Sequence, residues 1–216
     1  MNEESALPAT LEAIARQRVP VEVIVVDGGS NDRTVEVASR YNVRVIRSQA
    51  GRGLQLDTGA RAAGGDILWF LHADTLPPAR AAEAIRQACG RTPVVGGNFE
   101  LTFSGTSTGA RLLTWIYPRL RWLGLSYGDS GVFVRRSVYL QVGGFRHVPL
   151  FEDLDFIRRL RRCGRFVHVD CALVTSSRRF QDRSFARTFA RWTLLQALYC
   201  AGVSPAFLAK HYKPTR

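Results

Sequence analysis

The first part of the chain alternates short β-branched apolar runs with segments whose apolar positions recur at helical spacing. The predicted strands are 21–26, 43–46 and 66–71, and the predicted helices are 34–41, 54–63 and 77–89. This alternation predicts an α/β fold with a mostly parallel sheet and flanking helices. Ligands bind beyond the carboxyl ends of such strands, and Asp27 and Asp74 both lie at predicted strand ends.

The second part of the chain has a less regular pattern. It predicts strands 94–103, 132–134 and 166–174, helices 111–122 and 151–163, and two C-terminal helices, 184–200 and 205–211. Residues 192–209 carry no charged side chain, but Gly202 and Pro205 interrupt the run. A spanning helix needs about 20 continuous apolar residues. We therefore expect a helical hairpin packed within the monomer or in a homodimer, while flanking basic residues leave peripheral membrane contact open.

The net charge of +12 is unevenly distributed. Residues 1–100 contain 11 basic and 12 acidic side chains, whereas residues 101–216 contain 19 and 6. A basic half suits an anionic membrane, a phosphorylated ligand or nucleic acid. Nucleic acid is not favoured, because the chain has no zinc-finger spacing, RNP motif or lysine-rich tail. Four cysteines without a C-x-x-C pair, and no secretory leader, predict reduced thiols in a cytoplasmic protein, and the length fits one domain.

Two loops are suited to a nucleoside diphosphate. The segment Asp27-Gly-Gly-Ser-Asn-Asp32-Arg-Thr34 follows the first predicted strand, and its carboxylates can accept hydrogen bonds from a base or ribose. The alternative is a tight turn in which Ser30 and Asp32 only cap the next helix. Gly51-Arg-Gly53 precedes a helix, so its N–H groups and the helix dipole can hold phosphate, with Arg52 as a bidentate donor.

Two acidic segments are suited to a metal and to proton transfer. His72-Ala-Asp74 ends the third predicted strand, and the Asp74 carboxylate is a hard oxygen ligand for Mg²⁺ or Mn²⁺. The alternative is that Asp74 caps the following helix. Glu152-Asp153 begins a predicted helix, where a carboxylate can remove a proton from a hydroxyl. Such acids can also merely complement the helix dipole, and Asp155 is then the competing acid.

The order of these segments, with Gly128-Asp-Ser-Gly131 before the last, resembles the inverting family 2 glycosyltransferases over about residues 2–191. The resemblance implies a GT-A fold, with a nucleotide-binding half at about 1–100 and an acceptor and catalytic half at about 101–216. It implies inverting transfer of a sugar from a nucleoside diphosphate to an acceptor hydroxyl, assisted by Mg²⁺ or Mn²⁺ on Asp74. Asp153 is then the base within the pair Glu152-Asp153, and Asp129 a hydroxyl ligand in the loop Gly128, Asp129, Ser130, Gly131. The implied nucleotide contacts are Asp27, Gly29, Ser30, Asp32, Arg52 and His72.

The chain departs from the family pattern at three places. Asp57 stands where relatives carry an asparagine, and a carboxylate there would repel diphosphate unless it is bound by metal or turned away. Arg178-Arg179-Phe180 stands where relatives carry a Q-x-x-R-W element. The strand that opens the sheet in relatives has only its tail here, so we expect either an internal start or a sheet lacking that strand, with neighbouring backbone groups unpaired.

Three functions stay open at this point. The first is the glycosyltransferase, with a small-molecule or lipid acceptor. A narrower resemblance is to a bacterial subgroup associated with radical-SAM and selenium-linked gene neighbourhoods, which implies an unusual small acceptor. A nucleotidyltransferase would share the metal carboxylates. A lysine in a glycine-rich loop near the N-terminus would favour that function, but the first lysine is Lys210. The third alternative is a non-catalytic protein that binds nucleotide sugars or a membrane surface.

Overall fold

The computed structural model describes residues 1–103, 114, 130–175 and 185–212, with the backbone alone at 185–189. Within these ranges the helices are α1 (Leu7–Ala15), α2 (Thr34–Ala38), α3 (Arg52–Ala62), α4 (Ala81–Cys89), α5 (Arg136–Gln141), α6 (Glu152–Cys163), α7 (Phe185–Cys200) and α8 (Pro205–His211). The strands are β1 (Ile24–Asp27), β2 (Arg44–Arg47), β3 (Ile67–Trp69), β4 (Thr75–Leu76), β5 (Val94–Phe103), β6 (Phe133–Arg135) and β7 (Arg165–Thr175).

The described strands form two sheets. Strands β1 and β2 pair in parallel, with Ile24 opposite Arg44. The second sheet has the order β3-β6-β5-β7-β4, in which β5 and β7 are parallel and the other three pairings are antiparallel. The α/β class with flanking helices is confirmed. The expected parallel pairing holds for the two longest ladders, but the short strands β3, β4 and β6 run antiparallel to their neighbours, and the strands do not form one continuous sheet.

Helices on both faces of β1 hold the two sheets together. On one face, α1 and α2 pack on Val23 and Val25 in a cluster that also contains Ala73. On the other face, α3 packs on β1, since a Cβ added at Gly59 would lie 3.1 Å from Val26 Cγ2. The same helix contributes Ala60 to the main core, with residues of β3, β6, α5 and α6. Helix α3 therefore fixes the position of the small sheet relative to the large one.

A side chain supplies a hydrogen bond to the edge of β1 that faces away from β2. In the ladder with β2, the carbonyls of Val23 and Asp27 accept from Arg44 and Ser48. Successive carbonyls of a strand point to opposite sides, so the carbonyl of Val26 points away from β2. It accepts a hydrogen bond from Gln55 Nε2 of α3 at 3.0 Å. A helix side chain thus occupies a backbone position at which a neighbouring strand would bond.

Most predicted elements lie within a few residues of the observed ones, and β5 coincides with its prediction. The prediction missed α1, α5 and the two-residue strand β4. Helix α3 begins two residues earlier than predicted, so Arg52 and Gly53 belong to its first turn. The predicted helix 111–122 lies outside the described residues except for Thr114, which is helical.

The C-terminal hairpin packs on the start of α6. Leu195 of α7 and Leu208 of α8 are buried against Phe151 and Leu154, and Phe151 stacks on Tyr199 with ring centroids 4.8 Å apart. This confirms the predicted packed hairpin within the chain. In the ranges that the structure describes, no helix has the length and apolar character that crossing a bilayer requires.

Candidate functional site

Three of the predicted motifs, those of Arg52, His72 and Glu152, meet at the N-terminus of α3. Gly51 precedes the helix with φ 152° and ψ 118°, a conformation in the region that favours glycine, and no side chain caps the first turn. The first N–H groups of a helix have no partner within the helix and carry partial positive charge. The local backbone therefore suits a negatively charged ligand group at this end of α3.

Arg52 connects the phosphate motif to two other motifs. Its Nη2 lies 2.8 Å from His72 Nε2, and its Nε lies 3.1 Å from Glu152 Oε1. The second contact is an ion pair by distance, without the alignment of a hydrogen bond. Because a guanidinium only donates, His72 Nε2 accepts, which places the imidazole proton on Nδ1. Residues 20 and 100 positions from Arg52 in the sequence thus contact the same side chain.

Glu152 is held in a buried position at this junction. Its side chain is 5% exposed, against 38% for Arg52. Gly53 makes the close approach possible, since a Cβ there would lie 2.4 Å from the Arg146 carbonyl oxygen and 3.4 Å from Glu152 Cβ. Glycine is thus the residue that lets the first turn of α3 lie directly against the segment that leads into α6.

Asp27 lies at the end of β1, next to the same helix. Gln55 reaches both the Val26 carbonyl and the space beside Gly28, where an added Cβ would lie 2.8 Å from the Gln55 amide. The buried Asp27 carboxylate accepts from the N–H groups of Gly29 and Ser30 and from Ser30 Oγ. Burial opposes its ionisation, but these hydrogen bonds outweigh it and lower the pKa of Asp27 below its usual value. The loop is therefore organised around an ionised carboxylate.

Asp32 and Ser30 also hold the N-terminal segment in place. Asp32 accepts from the N–H and Oγ1 of Thr34 and from the N–H of Glu4. Ser30 Oγ accepts from the N–H of Asn2. Asp32 thus binds the first N–H of α2, as in the alternative in which the loop caps a helix, whereas Ser30 contacts Asn2 and Asp27 instead. A nucleotide contact by either residue stays a prediction.

Asp74 follows β3 and precedes β4, two residues after His72. The segment is fixed by Thr10 of α1, whose Oγ1 donates to the Ala73 carbonyl at 2.8 Å. Among the described residues, no group of three or more His, Cys, Asp or Glu side chains is arranged to hold a metal ion. Mg²⁺ commonly needs only one or two carboxylates, with water and phosphate oxygens as the other ligands. The half-buried Asp74 fits that kind of site, whereas His72 has its Nε2 directed at Arg52.

The two acids after Glu152 have different surroundings. Asp153 is 8% exposed and its Oδ1 accepts from the N–H of Leu154 at 2.8 Å. Asp155 instead forms ion pairs with Arg146 at 3.2 Å and with Arg159 at 2.7 Å. Phe151, in the left-handed region with φ 64°, turns the chain into α6. Asp155 is thus engaged in structural ion pairs, and Asp153 lies next to the acid that Arg52 contacts.

The predicted acceptor loop is described only at its end. Ser130 is buried, and its Oγ accepts from Asn98 Nδ2 at 2.7 Å, while Asn98 Oδ1 accepts from His168 Nδ1. Gly131 lies beside β3, since an added Cβ would be 3.2 Å from Trp69 Nε1. Gly128, Asp129 and the segment 178–180 lie outside the described residues.

Sequence reasoning missed two polar residues around the site and the direction of a third. No spacing in the sequence marks Gln55 or Asn98. The sequence marks Asp57 as a departure from the family pattern, but it does not show which way the carboxylate points. Its carboxylate is turned toward α5 and is bound by Tyr139 and Arg61, which answers the expected repulsion with a diphosphate.

The sequence of the chain matches one family directly. The family model described as Glycosyl transferase family 2 matches residues 1–146, about two thirds of the chain. The chain belongs to glycosyl transferase family 2. The matched range contains the family 2 motifs around Asp27, Arg52 and Asp74, and it ends before Glu152.

Two curated glycosyltransferases are similar in sequence to this family 2 chain. Glycosyltransferase AglE of Haloferax volcanii is 32% identical over 180 residues, which cover 76% of this chain and 59% of AglE. The 4,4'-diaponeurosporenoate glycosyltransferase of Staphylococcus haemolyticus is 36% identical over 99 residues, which cover 42% of this chain and 26% of that protein. The chain therefore spans less than two thirds of either relative.

Solved structures share the fold of the family 2 chain. TarS 1–349 of S. aureus in complex with UDP-GlcNAc has a TM-score of 0.63 at 18% identity, covering 86% of this chain and 58% of that one. Glucosyl-3-phosphoglycerate synthase of Mycobacterium tuberculosis in complex with Mn²⁺ and UDP-glucose has a TM-score of 0.63 at 19% identity, covering 94% and 77%. These likenesses confirm the GT-A fold expected from the sequence.

Proposed function

We propose that this chain catalyses inverting transfer of a sugar from a nucleoside diphosphate to an acceptor hydroxyl. The observation that carries the proposal is the contact of Arg52 with both His72 and Glu152. It brings the phosphate motif, the strand end next to Asp74 and the acidic pair to one place. A diphosphate donor needs cationic groups on one side of its anomeric carbon and a base on the other, and this junction supplies both kinds of group.

On the donor side, the chain offers binding groups of the right type. The first turn of α3 and the forked guanidinium of Arg52 suit the oxygens of a diphosphate. The loop from Asp27 to Ser30 lies next to α3 and suits the nucleoside. Asp74 would hold Mg²⁺ or Mn²⁺, which when bound neutralises charge on the leaving diphosphate. UDP is the first nucleotide to test, because TarS and glucosyl-3-phosphoglycerate synthase were crystallised with UDP-sugars.

On the acceptor side, we assign the base to Asp153. As the acceptor oxygen bonds to the anomeric carbon, its proton passes to the Asp153 carboxylate, and the bond from that carbon to the diphosphate oxygen breaks with its electron pair on the diphosphate. No covalent bond between sugar and enzyme is needed. Glu152, paired with Arg52, positions the start of α6 and balances the charge of the guanidinium.

The decisive experiment compares Asp153→Asn with Asp155→Asn. The assay measures UDP release from UDP-glucose and UDP-N-acetylglucosamine in the presence of Mn²⁺, with water or added hydroxyl compounds as acceptor. Loss of a general base lowers turnover by about 100-fold or more. We expect that loss in Asp153→Asn with unchanged UDP affinity, and retained turnover in Asp155→Asn. The reverse pattern would move the base to Asp155.

The same assay separates the two alternative functions. Tight binding of UDP without turnover of any sugar nucleotide would support a non-catalytic binding protein. Release of pyrophosphate from a nucleoside triphosphate would support a nucleotidyltransferase, although no lysine precedes Lys210. We also propose that the whole chain forms one domain and that it is cytoplasmic.

We also propose that the exposed apolar surface of α7 and α8 contacts a lipid acceptor or a membrane. Leu194 and Leu198 of α7 are 59% and 37% exposed, and Phe207 of α8 is 55% exposed. Residues 185–212 contain no acidic side chain. The competing proposal is a homodimer through the same hairpin. Binding to anionic vesicles would support membrane contact, whereas a dimer in sedimentation of the chain alone would support the homodimer.

A further inference from the structure

Asp57 is a buried carboxylate at the centre of a polar cluster that the proposed reaction does not use. Its side chain is 6% exposed and accepts hydrogen bonds from Tyr139 Oη at 2.7 Å and from Arg61 Nε at 2.8 Å. His147 Nε2 lies 3.4 Å from Asp57 Oδ2, the same oxygen that Arg61 contacts. Burial opposes ionisation, but the contacts with Arg61, Tyr139 and His147 outweigh it and lower the pKa of Asp57. The cluster joins α3, α5 and the segment after α5.

The turn at residues 143–145 lies directly on this cluster. Gly144 has φ 67°, and a Cβ there would lie 2.6 Å from Asp57 Oδ1 and 2.9 Å from Tyr139 Oη. The N–H of Phe145 donates to Tyr139 Oη at 3.3 Å. The hydroxyl of Tyr139 thus connects the carboxylate on α3 to the backbone of the turn, and any change in its position moves the turn.

From the turn, packing carries the position on to the acidic pair. The ring of Phe145 lies against that of Phe156 in α6, with centroids 4.1 Å apart. Six residues before α6 begins, the chain already contacts α3, because a Cβ added at Gly53 would lie 2.4 Å from the Arg146 carbonyl oxygen. Only residues 147–151 separate this contact from Glu152. The start of α6 is therefore fixed on α3 at two points, Gly53 and Asp57, one helical turn apart.

We propose that Asp57 and Tyr139 are positioning residues, which hold the turn at 143–145 and thereby set where Glu152 and Asp153 lie relative to Arg52. The inference rests on the proposed function for its catalytic readout. It assigns to Asp57 a role that differs from contact with the diphosphate: neither residue touches the donor, and both act through the backbone that precedes α6.

The test uses three variants of the full chain. Tyr139→Phe removes the hydroxyl but keeps the ring that packs on Phe70 and Phe156. Asp57→Asn keeps an oxygen that can accept from Tyr139, and Asp57→Ala removes it. The exposed Asp66, between α3 and β3, gives the matched control Asp66→Asn. Readouts are kcat and KM for UDP-glucose with Mn²⁺, UDP affinity, and hydrogen–deuterium exchange of peptides covering 145–156 and 24–47.

A displacement of about 1 Å can lower turnover by about 100-fold. For Tyr139→Phe and Asp57→Ala we expect kcat to fall by about 10- to 100-fold with UDP affinity unchanged, and faster exchange at 145–156 but not at 24–47. Asp57→Asn should recover most of the lost kcat, and Asp66→Asn should match the wild type. A merely structural role would lower UDP affinity and speed exchange in both regions together.

Two outcomes would overturn the inference. One is a Tyr139→Phe variant with wild-type kcat while the wild type turns over the donor, which leaves the proposed function standing. The other is unchanged exchange at 145–156 in Tyr139→Phe and Asp57→Ala, which refutes the positioning role even if no donor is turned over. If the wild type shows no turnover, the proposed function is refuted. Faster exchange at 145–156 in the variants would in that case still support the role of Asp57 and Tyr139 in fixing the start of α6.

Discussion

Gly53→Ala tests the contact between α3 and the segment that precedes α6. The added Cβ would lie 2.4 Å from the Arg146 carbonyl oxygen, whereas ordinary contacts begin near 3.4 Å. Because the obstacle is backbone, relief requires a shift of about 1 Å between α3 and that segment, the scale that lowers turnover by about 100-fold. Overpacking costs about 1–3 kcal/mol, and alanine in a helix recovers about 1 kcal/mol relative to glycine. The net loss of stability is then about 0–2 kcal/mol.

The matched control is Gly59→Ala in the same helix. Its Cβ would lie 3.1 Å from a methyl group of Val26, which can move more easily than backbone. We expect Gly59→Ala to retain turnover and to keep or raise the thermal midpoint. Gly53→Ala should lower the midpoint by about 8 °C at most, on a scale of about 2–4 °C per kcal/mol for a chain of this size, while the rate of UDP release falls by about 100-fold. Wild-type turnover in Gly53→Ala would refute the view that this contact sets the position of the acids.

Two further predictions concern the metal and the pH. Asp74→Ala should abolish the gain in UDP affinity that Mn²⁺ gives the wild type, while affinity without metal stays the same; an undiminished gain in titration calorimetry would mean that other groups hold the metal. The pKa of Asp57 is lowered on folding, so its ionised form stabilises the fold above the unfolded pKa of about 4, and that contribution is lost as the pH falls through the folded pKa. The stability difference between wild type and Asp57→Asn in urea should therefore shrink below about pH 4, and a constant difference from pH 7 to pH 3 would contradict the assignment.

The first half of the fold could be predicted because its periodicity is strong. Asp27 at the end of β1, Asp74 between β3 and β4, and the glycines around Arg52 all follow apolar runs, so the local pattern and the family resemblance agree there. Helix α5 was missed because a six-residue segment after a short strand carries little periodic signal. The direction of β3 and β6 depends on pairing across more than sixty residues, which no local pattern encodes.

The contacts within the site were harder to predict than its members. Arg52 was expected to face phosphate, but its contacts with His72 and Glu152 depend on how α3 packs against two distant segments. For Asp57 the sequence left two possibilities, a carboxylate bound by metal or one turned away from the diphosphate, because only its place in the motif was known. Its direction is decided by Tyr139 on α5, an element that the sequence pattern did not reveal.

The division of the strands into two sheets bears on how the protein opens. Among the described strands, no ladder of backbone hydrogen bonds joins β1 and β2 to the larger sheet, so we expect amide exchange to show the small sheet opening as a separate unit. A nucleotide seated between the end of β1 and the segment after β3 would span both units. Donor binding would then couple the two units, because a ligand that contacts both stabilises the state in which they are packed together.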